Sequence, residues 1–185
     1  MYRIRIHSRG GQGGKTAAKM LADAFYIEGK HVQAFSVYGA ERRSAPVASF
    51  VRVDDEPVLE RGYISDPECI IVMDDSLLKS TGELGVYSGL DTKEFLIVNT
   101  KEKMKPPKKG VNLITVDATG IAKEEMSREV FNTAMLGAFA GATGMVKLES
   151  LEKAIHNAFH EKYPKWVVPN LKTVRRVYNE VKKND

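Results

Sequence analysis

The chain has 185 residues, 43% of them hydrophobic and 28% charged, which excludes a disordered polymer and suits one domain over residues 1–185. Lys and Arg number 28 against 24 Asp and Glu, and a net charge of +4 is too weakly basic to argue for nucleic acid as a partner. Cys69 is the one cysteine, so an intrachain disulfide, a four-cysteine zinc site and an iron–sulfur cluster held by this chain alone are excluded.

A lone thiol inside an apolar run fits a reducing compartment. The opening Met1-Tyr2-Arg3-Ile4-Arg5-Ile6 lacks the apolar core of a signal peptide. The longest apolar run, Cys69 to Met73, is far short of the roughly 20 residues that span a bilayer. The expectation is a cytoplasmic protein with no membrane partner.

Tyr2 to His7 alternates apolar and basic residues and reads as a strand. It runs into Ser8-Arg9-Gly10-Gly11-Gln12-Gly13-Gly14-Lys15-Thr16, after which Ala17, Ala18, Leu21, Ala22, Phe25 and Tyr26 recur at helical spacing. Gly29 stops that helix, and His31 to Val37 is a second strand, so the chain opens as a parallel crossover. Tyr38 to Pro46 is a polar loop carrying Glu41-Arg42-Arg43-Ser44. Val47 to Val53 is a strand and Asp54 to Pro57 a turn. Cys69 to Met73 and Phe95 to Val98 are apolar runs of the kind buried on both faces of a sheet. Asp74-Asp75-Ser76 caps a short helix. Lys101 to Lys109 is a surface loop, and Val111 to Val116 a last strand. Helices follow at about Arg128 to Ala142, Leu148 to Glu161 and Asn170 to Lys182. The fold class is α/β: a single domain with a mostly parallel, Rossmann-like sheet flanked by helices.

Four glycines in five positions between a strand and a helix point to a ligand. Glycine accepts positive φ and close backbone approach. A helix start offers unpaired N–H groups and the positive end of a dipole. Arg9 and Lys15 add charge, so Arg9, Gly10, Gly11, Gln12, Gly13, Gly14, Lys15 and Thr16 form a candidate phosphate cradle. A tight turn packed under the sheet without a ligand is the plainer alternative. The spacing misses two known cradles. A P-loop places a glycine five residues before Gly-Lys-Thr, where Arg9 stands. The dinucleotide fingerprint needs a small residue at Thr16 and an acid closing the second strand, where Ser36-Val37-Tyr38 stands.

Three blocks carry a family resemblance. They are Arg9 to Gly13 with Thr16-Ala17-Ala18, then Val32 to Phe35 with Gly39 to Val47, then Asn132 to Ala138 with Thr143-Gly144 and Leu148 to Leu151. Together they resemble the gamma subunit of 2-oxoacid:ferredoxin oxidoreductases. Gly14-Lys15 stands where that family commonly has a small apolar pair, and Ser44 where it often has glycine. The resemblance implies a complex that decarboxylates a 2-oxoacid, pyruvate by default, on thiamine diphosphate. Electrons pass through iron–sulfur clusters to ferredoxin, and the acyl group passes to coenzyme A. It also implies alpha, beta and ferredoxin-like delta partner subunits that hold the thiamine and the clusters, and an isolated chain that is inactive. Coenzyme A is the ligand this chain is expected to touch. The glycine turn would give N–H groups to a phosphate, and Arg42, Arg43 and Ser44 would add donors. A subunit contact is the competing role for Arg42 and Arg43.

Two other classes stay open. One is a variant P-loop ATPase with Asp74 as a magnesium ligand, although an aspartate before serine more often caps a helix. The other is a non-catalytic scaffold. His156 and His160 lie four apart without a third ligand and read as a surface pair. Trp166 sits in an extended linker and either anchors a partner or pins the last helix. Lys172, Arg175, Arg176, Lys182 and Lys183 form the solvated basic face of an amphipathic helix.

Overall fold

Successive residues of a strand face opposite ways, and along the first strand that alternation sorts two kinds of neighbour. Ile4 and Ile6 point to a helical layer, while Arg5 and His7 point to the other side, all four buried. The computed structural model describes residues 1–38, 45–80 and 85–183. In chain order its elements are β1 (Tyr2–Arg9), α1 (Gly14–Ile27), β2 (His31–Tyr38), β3 (Pro46–Asp54), β4 (Cys69–Val72), β5 (Phe95–Asn99), β6 (Asn112–Val116), α2 (Ala118–Met126), α3 (Asn132–Thr143), α4 (Leu148–Phe159) and α5 (Val167–Lys183). Single 3-10 turns occupy Asp75–Lys79 and Pro164–Trp166.

The six strands form one sheet in the order β2-β3-β1-β4-β5-β6. β1, β4, β5 and β6 pair in parallel. β3 runs antiparallel between β1 and β2. The mostly parallel sheet expected from the sequence is present, with one correction. The crossover through α1 reaches a strand that points the same way as β1 but is not its neighbour, because β3 folds back and fills the gap.

The helices gather on one face. Ile4, Ile6, Val51, Ile71 and Ile97 from the sheet pack with Leu21, Phe25, Leu136 and Phe139 in one buried cluster. α3 is buried along Asn132 to Ala140 and lies against α5. Gly137 and Gly141 allow that approach: a Cβ on Gly137 would fall 2.5 Å from the Val174 carbonyl oxygen and one on Gly141 2.8 Å from that of Tyr178. The opposite face is covered by irregular chain, where Leu77, Val86 and Val111 close over Ile70, Val72, Leu96 and Val98.

Arg5 and Arg52 tie that irregular layer down. Arg5 donates to the carbonyls of Ile64 (3.1 Å) and Val86 (3.2 Å), and its Nε donates to His7 Nε2 at 2.9 Å. Arg52 donates to Gln33 Oε1 (2.7 Å) and the Gly62 carbonyl (2.9 Å). Burial holds Arg5 down at about 10, below the usual guanidinium range. Burial, with the Arg5 charge beside it, pushes His7 down to about 3, which keeps the imidazole neutral as the acceptor.

α2 went unread in the sequence. Asp117 caps it by accepting from Gly120 N at 2.8 Å, and a Cβ on Gly120 would sit 2.2 Å from that carboxylate. A glycine in the first turn and only 9 residues gave no periodic signal. Trp166 is likewise not in an extended linker. Pro164 fixes φ at the start of a 3-10 turn that leads directly into α5.

Candidate functional site

β1 ends at Arg9 and the chain turns through Gly10 to Gly13 before α1 begins. Two of the four glycines are required by backbone shape: Gly11 has φ +97° and Gly13, the cap of α1, has φ +82°. The other constraint is contact. A Cβ on Gly14 would lie 2.2 Å from Ser8 Oγ, and one on Gly13 would lie 2.7 Å from Asn132 Nδ2. The turn is therefore pressed between the end of β1 and the start of α3.

The start of α1 has no side-chain cap and no acid in its first turn. Ala17 is the first residue of α1 seen to donate backward, to the Gly13 carbonyl at 2.9 Å, so the preceding N–H groups have no partner within the helix. Lys15 and Thr16 are exposed beside them. An uncapped positive helix end next to a lysine and an open glycine is suited to an anionic oxygen.

Arg9 and Gln12 have side-chain partners within the fold. Gln12 Oε1 accepts from Arg9 N at 2.6 Å, and Gln12 Nε2 donates to Asp74 Oδ2 at 2.8 Å. Arg9 Nε pairs with the same carboxylate oxygen at 3.2 Å, and Arg9 Nη2 donates to Ser76 Oγ at 2.7 Å. These side chains brace the turn against the end of β4. Asp74 also caps the 3-10 turn, accepting from Ser76 N at 3.1 Å. Burial pushes its carboxyl up, but the hydrogen bonds from Ser76 and Gln12, with the Arg9 charge, outweigh that and hold it below the usual range. An aspartate so engaged fits the capping role and not that of a magnesium ligand, and the variant P-loop reading loses its second residue.

The turn has two flanks. Toward β4, β5 and β6 lies a cleft of about 240 Å³ walled by Asp74, Asp75, Asp117 and Lys101. Its carboxylates serve the fold: Asp75 accepts from Thr100 Oγ1 at 2.7 Å and Asp117 caps α2. Among the described residues no group of three His, Cys, Asp or Glu is placed to hold a metal. Toward β3, Gly10 N donates to the Ala45 carbonyl at 2.9 Å. That bond fastens Ala45, just before β3, to the turn. Arg42, Arg43 and Ser44 themselves lie outside the described residues.

Sequence reasoning missed Asn132, Ser8 and the brace role of Asp74. Asn132 opens the third block of the resemblance, Gly13 belongs to the first and Ala45 to the second, so the fold brings all three blocks to one place. Other singled-out residues lie elsewhere. His156 and His160 stack on each other in the open, ring centroids 5.0 Å apart. On the basic face of α5 the two arginines are paired, Arg175 with Glu152, and Arg176 with Glu124 (2.6 Å) and Glu125 (2.9 Å). Cys69 is fully buried, and burial pushes its thiol up, so it has no part in chemistry at this edge.

Comparison with known proteins gives the family. A profile of the pyruvate ferredoxin/flavodoxin oxidoreductase family matches residues 3–180. The pyruvate/ketoisovalerate oxidoreductases common subunit gamma of Thermococcus litoralis is 44% identical, over 97% of each chain. The pyruvate synthase subunit PorC of Methanothermobacter thermautotrophicus is 42% identical, over 99% of this chain and 97% of its own. The crystal structure of the pyruvate oxidoreductase subunit PORC of Thermotoga maritima superposes with a TM-score of 0.82 at 38% identity, covering 96% of this chain and 95% of the other.

Proposed function

The chain belongs to the pyruvate ferredoxin/flavodoxin oxidoreductase family as a gamma-type subunit of a pyruvate or 2-oxoacid oxidoreductase, and we propose that in that enzyme it holds the phosphates of coenzyme A. The reaction so served is pyruvate, coenzyme A and oxidised ferredoxin going to acetyl-coenzyme A, carbon dioxide and reduced ferredoxin. Thiamine diphosphate and iron–sulfur clusters, held by alpha, beta and ferredoxin-like delta partners, supply the decarboxylation and the electron path. This chain has one cysteine, and it is buried, so its own donor set does not suit a cluster.

The observation that carries the reading is the uncapped start of α1 above the Gly10–Gly14 turn. Its N–H groups would donate to a phosphate oxygen, with Lys15 as a mobile counter-charge. Arg42 and Arg43 stand just before Ala45 in sequence, and the Ala45 carbonyl is bonded to Gly10, which supports their reaching the same ligand. The chain supplies no proton-transfer group here: it binds and orients the acceptor thiol's carrier while partners do the chemistry. In the assembled enzyme the double variant Arg42→Ala, Arg43→Ala is expected to raise KM for coenzyme A about tenfold or more, since a charge-assisted bond contributes about 1.5–3 kcal/mol. KM for the 2-oxoacid stays at the parent value. An unchanged KM for coenzyme A would refute the assignment.

A further inference from the structure

A second feature lies away from the glycine turn, where the end of α2, the end of α4 and the start of α5 meet. Met126, Val130, Phe159, Tyr163 and Trp166 line an apolar groove of about 200 Å³. That is smaller than the roughly 300–1,000 Å³ of small-molecule sites and suits one or two side chains. Val130 is 43% and Tyr163 55% exposed, although both are large and apolar-bodied.

Two cations stand at the groove. Arg128 lies over the Trp166 ring, its Cζ 4.4 Å from the centroid, and Lys165 Nζ lies 5.5 Å from the same ring. Among the described residues neither has a carboxylate partner, nor does either have the backbone-carbonyl partners that hold Arg5 and Arg61. The acids on the same segments are turned elsewhere, Glu129 to Lys123 and Glu161 to His160. Stacking on Trp166 holds the Arg128 fork in place with its N–H groups unspent. An apolar slot with two unpaired cations at its mouth is complementary to an apolar side chain next to a carboxylate. Trp, Tyr and Arg are also the residues that dominate interface energetics.

We propose that this groove docks a segment of a different subunit of the enzyme, one that inserts a bulky apolar side chain and sets a carboxylate against Arg128 and Lys165. The inference rests on the chain's membership of a larger enzyme and not on coenzyme A binding. It is tested in the reconstituted complex. Lys162→Cys places a thiol at the exposed rim, and Cys69 is too buried to compete for a benzophenone maleimide. The purified chain is labelled, assembled with its partner subunits and irradiated. A cross-link to a partner peptide with Asp, Glu or a terminal carboxylate within a few residues of an apolar side chain is expected. In parallel, Arg128→Glu, Lys165→Glu should weaken retention of the chain by tenfold or more at an unchanged melting temperature. An intact complex with no such cross-link, or one only to a second copy of this chain, overturns the proposal, as does a charge reversal that leaves retention unchanged. Failure of the parent chain itself to assemble would overturn the subunit membership as well, and its elution alone on a sizing column tells the two apart.

Discussion

Replacing Gly14 with alanine tests how the turn is built. The added Cβ would lie 2.2 Å from Ser8 Oγ and 2.9 Å from Ser8 Cβ, where ordinary contact begins at 3.4 Å. Ser8 Oγ can swing away about its Cα–Cβ bond, but Ser8 Cβ falls 0.5 Å short of that contact (3.4 against 2.9 Å) and moves only with the strand. Ser8 is 1% exposed on a strand paired on both sides, and Gly14 opens a helix anchored through Leu21 and Phe25. Overpacking of this kind costs about 1–3 kcal/mol. At about 2–4 °C per kcal/mol for a chain of this size, Gly14→Ala should melt roughly 2–12 °C below the parent. Ser8→Gly removes both clashing atoms, so Gly14→Ala, Ser8→Gly should recover more than the sum of the single effects. The assay is thermal unfolding by circular dichroism on all four proteins. A Gly14→Ala melting point within 1 °C of the parent, with additive single effects, would refute the close approach of helix and strand.

Gly137→Ala should lower stability by about 1–3 kcal/mol, because its Cβ would meet a backbone carbonyl of α5 that cannot rotate away; urea midpoints decide it. His7 gives a pH signature. Its folded value is about 3 against 6.5 unfolded, so the unfolded chain binds the extra proton in that window and stability falls as pH drops from 6.5 toward 3. The slope reaches about 1.4 kcal/mol per pH unit, and His7→Gln should flatten that part of the profile; an equal slope in the variant would contradict it. Asp74→Asn removes the charge that Arg9 pairs with and the acid that caps the 3-10 turn. It should cost about 1–2 kcal/mol at neutral pH and less at low pH, where the native carboxylate is itself protonated.

Periodicity made most of this fold legible. The strand edges fall within a residue or two because β4 and β5 are continuous apolar runs and β1 to β3 alternate. Strand order was not legible. Nothing local in Val47 to Val53 says that it pairs with β1 as well as β2, since the β1 ladder joins segments distant in the chain, from Arg9 with Pro46 to Tyr2 with Val53. The two buried arginines were equally hidden: Arg5 and Arg52 occupy the polar places of an alternating pattern that reads as solvent-facing, and only the covering loops bury them. The glycine turn was visible as composition. Its brace was not, because Asp74 lies 65 residues from Arg9 and 62 from Gln12 along the chain.

Coenzyme A contact is tested most directly by photolabelling the assembled enzyme with an 8-azidoadenine analogue of coenzyme A, followed by peptide mapping. Label on this chain within residues 9–16 or 39–46, displaced by excess coenzyme A, is the predicted result. Saturable label confined to the other subunits would contradict it and leave this chain a scaffold.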